Sequence, residues 1–187
     1  MKLNSGDVII FPTDTVYGIG GKITDSLAMD KIYEIKKRPK EKRLSVLCAS
    51  INDIESIAYV TEDAKRLIEN FMPGGLTLIL KSKEEIRNEY IFETVAVRIP
   101  NHELAIRILI ENGPMATSSV NRSGQPPLND YIDIMKQFGE EVLYVYPNAV
   151  NCSKVSSTII DLTTEQVTLI REGQLKFNEI NNFLNNK

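Results

Sequence analysis

The chain has 187 residues, 42% of them hydrophobic, and no Ser/Gly- or Pro-rich linker divides it, so one globular domain over residues 1–187 is expected. Its formal net charge is −3, from 22 Lys and Arg against 25 Asp and Glu, so positive charge must be gathered locally to serve an anionic partner. Two cysteines far apart (Cys48 and Cys152) and a single histidine (His102) exclude a disulfide framework and a zinc site of ordinary spacing.

In chain order, Val8 to Phe11 reads as a buried strand closed by Pro12. Thr24 and Asp25 offer N-caps for a helix with Ala28, Ile32 and Ile35 on one face. That helix has to end before Pro39, which puts Lys36, Lys37 and Arg38 in its last turn, where the helix dipole favours cations. Leu44 to Cys48 is a strand, and Asn52 to Tyr59 and Thr61 to Phe71 are helices, the second stopped by Pro73-Gly74-Gly75. Leu76 to Leu80 and Val95 to Ile99 are strands, followed by a helix from Glu103 to Asn112 ended by Gly113, and a strand from Met115 to Val120. Asp130 to Phe138 is expected helical, Val142 to Tyr146 extended, and Thr158 to Leu162 with Val167 to Ile170 a closing hairpin. The tail, with Ile180, Phe183 and Leu184, forms a last helix packed on the sheet. The irregular alternation predicts an α/β domain with a mixed sheet.

Four polar segments sit at the ends of these elements, where α/β domains usually build sites. Pro12 to Gly21 follows a strand, the context of a phosphate-cradling loop, but it matches neither GxGxxG nor GxxxxGK[ST]; a tight turn is the other reading. Lys36 to Arg43, KKRPKEKR, packs six cations into eight residues. It fits either a polyanion partner, such as a nucleotide triphosphate or RNA, or a solvated charged loop. Ala116 to Pro127 ends a strand in hydroxyls, an amide and a guanidinium, donors that suit phosphate oxygens or a base edge. A serine nucleophile is not supported, because there is no GxSxG and His102 has no evident orienting partner. Ser156 to Thr158 and Arg171 to Gly173 form the fourth, joined by Arg98. That arginine lies in so apolar a run that it requires a carboxylate or phosphate, supplied either by a ligand or by the protein.

In order and spacing these segments resemble the YrdC/TsaC family of threonylcarbamoyl-AMP synthases over nearly the whole chain. The matching stretches are PTDTVYGIG (12–20), the K-x-R of Lys36 and Arg38, PGGLTLIL (73–80), VAVRIPNH (95–102), the S-x-N of Ser119 and Asn121, SSTIIDL (156–162) and IREG (170–173). The resemblance implies a twisted mixed β-sheet with flanking helices around a concave basic cavity. It also implies a reaction in which L-threonine, bicarbonate (or CO₂) and ATP give threonylcarbamoyl-AMP and pyrophosphate. Carried over by position, Lys36, Arg38, Ser119 and Asn121 would hold the phosphates and carry catalysis. Thr117 and Lys40 would stand nearby, Arg171 would sit by the nucleotide, and Thr15, Arg98 and Ser157 by threonine.

No tightly bound cofactor or protein-held metal is implied, only Mg²⁺ arriving with ATP. The implied partners are the proteins that pass the threonylcarbamoyl group to tRNA, with tRNA or double-stranded RNA as a further occupant of the groove. Residues 1–11 lack the apolar stretch of a signal peptide, and no apolar run approaches the roughly 20 residues that span a bilayer, so a cytoplasmic protein without a membrane partner is expected. Two departures assign the chain to the short bacterial form: Leu47 stands where longer relatives carry a histidine, and no additional C-terminal domain is expected. The alternative is a noncatalytic RNA-binding module of the same fold, as in YciO-like paralogues, whose K-x-R motif is degraded.

Overall fold

Nine strands and six helices lie within the described residues, 1–147 and 152–186, of the computed structural model. The strands are β1 (Ile9–Phe11), β2 (Gly18–Lys22), β3 (Ser45–Leu47), β4 (Leu76–Lys81), β5 (Thr94–Arg98), β6 (Met115–Ser119), β7 (Tyr144–Val145), β8 (Thr158–Asp161) and β9 (Thr168–Arg171). They form one mixed sheet in the order β7-β1-β2-β6-β3-β5-β4-β8-β9. β1 with β7, β3 with β5 and β4 with β8 run parallel, and the other neighbours antiparallel. The helices are α1 (Ser26–Lys36), α2 (Ile51–Ile57), α3 (Glu62–Phe71), α4 (Glu103–Asn112), α5 (Tyr131–Phe138) and α6 (Phe177–Asn185). None is long and apolar enough to cross a membrane.

Strand residues alternate between faces, and here the two faces are treated differently. Ile10, Ile19, Ala116, Val46, Val97, Leu78 and Ile160 point one way, into apolar clusters completed by α1 and α5 at one end and by α2, α3 and α6 at the other. On the opposite face α4 is the one helix among the described residues that packs, against Ile9, Phe11, Leu47 and Met115. Beside α4 that face carries Gly18, Ser45, Ala96, Thr117 and Ser119, and no helix among the described residues covers it. Small and hydroxylated side chains on an uncovered sheet face leave a hollow rather than a second core.

Two sequence expectations change. Only residues 12–17 of the stretch after β1 form a connection; Gly18 to Lys22 form β2, inserted between β1 and β6. Its glycines serve close packing, since a Cβ on Gly18 would fall 2.7 Å from Thr117 Cγ2 and one on Gly21 2.7 Å from Ala28 Cβ. Of the three cations expected in the last turn of α1 only Lys36 lies there; Lys37 takes the left-handed conformation (φ 49°) and ends the helix, and Arg38 is beyond it. The last helix, α6, packs on the sheet as expected, through Ile180 and Leu184, and also meets α3, where the Phe183 and Phe71 rings stand edge to face (centroids 5.3 Å apart) and Arg66 donates to its final carbonyls.

Candidate functional site

The uncovered face of the sheet is the floor of a cavity of about 360 Å³. Its walls come from the β1–β2 connection (Thr13, Thr15), the loop between α1 and β3 (Arg38, Arg43), the segment before β5 (Tyr90, Ile91), and the start of β8 with the end of β9 (Ser157, Arg171). Among the described residues, four arginines and no Asp or Glu line it. Of the chain's eight arginines, Arg66, Arg87, Arg98, Arg107 and Arg122 each have an acidic partner; Arg38, Arg43 and Arg171 have none among the described residues, and all three face this cavity. An acidic protein has thus reserved its unneutralised guanidinium groups for one hollow, which is what an anionic ligand needs.

The arginines fall into two groups. At the C-terminal end of β5, Arg98 donates from Nη1 to Thr15 Oγ1 (2.6 Å), from Nη2 to Asp14 Oδ1 (2.5 Å) and from Nε to the Gly74 carbonyl (2.8 Å). Burial pushes its pKa down and the adjacent Asp14 carboxylate opposes this, with Arg171 near enough to add repulsion. One N–H remains on each terminal nitrogen of Arg98. Arg171 donates from Nη2 (2.9 Å) and Nε (3.2 Å) to the Ser157 carbonyl, and Ser157 Oγ lies 2.8 Å from Thr77 Oγ1. The second group lies at the other end of the strands. Arg38 donates from Nε to the Lys42 carbonyl (2.7 Å) and from Nη2 to the Arg43 carbonyl (2.8 Å), and Arg43 donates to Thr94 Oγ1 (2.8 Å). Thr94 and Arg98 are four residues apart on β5, so the two groups are separated by about 13 Å along the strand.

The sequence-derived residues divide accordingly. Thr15, Arg38, Arg98, Thr117, Ser119, Ser157 and Arg171 are brought together in the cavity wall. Lys36 is not: it is 0% exposed, and its Nζ donates to the carbonyls of Ser119 and Asn121 and to Asn121 Oδ1 (3.0 Å). Burial, with Arg38 and Arg122 adding like charge, pushes it down to about 7. Asn121 also lies behind the wall, accepting from Ser119 Oγ (2.9 Å) and donating to the Gln125 carbonyl (2.6 Å). Lys40 points outward to Asp30 (2.9 Å) and Glu89 (3.7 Å). Arg43, at the end of the basic run, lines the cavity as well. The loop from Lys37 to Arg43 is thereby a hook whose arginines turn inward.

The family model described as "Telomere recombination", Sua5/YciO/YrdC, matches residues 1–173. A threonylcarbamoyl-AMP synthase of Pyrococcus abyssi is 34% identical over 182 residues, covering 95% of this chain and 54% of that protein. The chain thus spans about half the length of that curated relative. The structure of P. abyssi Sua5 complexed with L-threonine superposes with a TM-score of 0.90 at 34% identity, over 95% of this chain and 54% of that one. Escherichia coli YciO superposes with a TM-score of 0.83 at 28% identity, over 91% of this chain and 85% of that one.

Proposed function

Because the chain belongs to the Sua5/YciO/YrdC family, and because its unpaired arginines converge on one acid-free hollow, we propose that it is a cytosolic threonylcarbamoyl-AMP synthase. The observation that carries this reading is the two-ended charge of the cavity. One end suits a single small carboxylate, held by the remaining donors of Arg98 and flanked by Thr15, Ser157 and Arg171. The other, with Arg38 and Arg43, suits a chain of phosphates.

The chemistry needs no protein nucleophile. The threonine amine attacks CO₂ and loses a proton, giving a carbamate. A carbamate oxygen then bonds to the α-phosphorus of ATP as the bond from that phosphorus to the bridging oxygen breaks, its electron pair leaving with pyrophosphate. The protein aligns the two substrates and meets the charge that grows on the leaving group. Arg98 orients the amino acid, Ser119 and Thr117 offer hydroxyls along the floor, and Lys36 acts from behind by fixing Ser119 and Asn121. Mg²⁺ bound to the triphosphate would reduce its charge. Asp14 is occupied by Arg98 and the Asn101 N–H, and no three His, Cys, Asp or Glu converge among the described residues, so such an ion would meet hydroxyls and water rather than a carboxylate cage. The product passes to tRNA through partner proteins.

A purely RNA-binding role is less well supported, because the basic run turns inward: Lys36 is buried, Arg38 and Arg43 line the hollow, and Lys40 is neutralised. The test is pyrophosphate release from purified protein with each substrate omitted in turn. Release requiring threonine, bicarbonate and ATP together supports the reading; undiminished release without threonine overturns it.

A further inference from the structure

We propose that Arg43 contacts the outgoing β- and γ-phosphates of the nucleotide, as a substrate-binding residue that presents a pre-set guanidinium at the outer end of the cavity. The inference rests on the reading of the cavity as an ATP and amino-acid site, and goes beyond it by assigning a residue outside the K-x-R pair.

Four observations support it. Arg43 lines the cavity and has no acidic partner among the described residues, unlike most arginines of this chain. Its side chain is nonetheless held: Nη1 donates to Thr94 Oγ1 (2.8 Å), and the guanidinium lies 4.6 Å over the Phe92 ring. A solvated lysine or arginine on a loop has no such anchoring, and pre-setting the group lowers the entropy lost when a ligand binds. The backbone is fixed too, since Arg38 donates to the Arg43 carbonyl, so the two arginines move as one unit. With one of its five N–H groups committed to Thr94, the fork keeps donors for phosphate oxygens.

Position decides which phosphates. The carbamate that attacks the α-phosphorus is part of the threonine molecule, so the α-phosphate has to lie on the side of the carboxylate held by Arg98. Arg43 stands about 13 Å away along β5, at the level of Thr94, where the two phosphates that leave would extend.

The experiment compares ATP and AMP binding by calorimetry, together with steady-state turnover, for the wild type, Arg43→Ala, Arg43→Lys and Thr94→Val. Arg43 is exposed, and thermal melts confirm that the variants fold. The expected result for Arg43→Ala is an ATP Kd and KM raised about tenfold, an AMP Kd changed by less than about twofold, and an unchanged threonine KM. Arg43→Lys and Thr94→Val should shift ATP in the same direction by less, because the first keeps charge without the fork and the second keeps the fork without its anchor. Unchanged ATP binding in Arg43→Ala, or equal losses for ATP and AMP, overturns the proposal. If the wild type fails to turn over but binds ATP in an Arg43-dependent way, the assignment of Arg43 stands and the proposed reaction falls. Threonine-dependent turnover indifferent to Arg43 has the opposite meaning.

Discussion

Lys36 Nζ at the end of α1 donates to Asn121 Oδ1 beyond β6, 3.0 Å away, and ties the basic hook to the hydroxyl-bearing strand that floors the cavity. The same ammonium also donates to the carbonyls of Ser119 and Asn121, so all its protons are directed at one loop. Its charge is used inside the protein, at the back of the site.

This placement gives a pH signature. Burial brings Lys36 down to about 7 from 10.5. With the folded value below the unfolded one, the unfolded chain binds the extra proton between those limits, so stability gains as pH rises through that window. The stability of the wild type relative to Lys36→Met should therefore increase from pH 7 to pH 10, by at most roughly 1.4 kcal/mol per pH unit. Urea denaturation at a series of pH values measures it, and a flat or falling difference contradicts the assignment.

Arg98 and Asp14 form the most buried ion pair of the site, with side chains 7% and 13% exposed. Removing one partner strands the other charge, so Arg98→Met should cost about 3–5 kcal/mol of stability. Adding Asp14→Asn to it should recover part of that loss. Denaturant midpoints for the two single variants and the double variant report the coupling, and simple additivity would show that the pair does not act as one.

The glycines of β2 make a prediction independent of chemistry. Gly18→Ala puts a methyl 2.7 Å from Thr117 Cγ2 and should destabilise by about 1–3 kcal/mol. Thr117→Ser deletes that Cγ2 and should restore most of the loss. Gly20→Ala should resist the same rescue, because the Ala116 carbonyl oxygen lies 3.0 Å from the new Cβ. Thermal melts of the single and paired variants separate the two cases.

Local signals in the sequence marked most elements correctly. Asp25 caps α1 through the Ala28 N–H, as its position ahead of an apolar-periodic stretch suggested. The apolar stretches around Val46, Leu78 and Val97 marked strands, while which of their residues face the core became visible only in the sheet. What failed depended on distant partners. GIGG looks like a turn until β6 is known to lie beside it, and Lys37 ends α1 in a conformation that sequence assigns to glycine. Arg43 looks solvated until the parallel pairing of β3 with β5 sets Thr94 beside it, 51 residues on. Lys36 and Arg38 were legible as a pair, but which of them reaches the hollow depended on where α1 stops.

A structure of the protein soaked with L-threonine and α,β-methylene-ATP, whose bond from α-phosphorus to the bridging group does not break, tests the two-ended cavity most directly. The expected result is the threonine carboxylate against Arg98 and the β- and γ-phosphates against Arg38 and Arg43, with Lys36 still donating to Ser119 and Asn121. A triphosphate bound at Arg98, or one lying outside the cavity on Lys37 and Lys40, would contradict it.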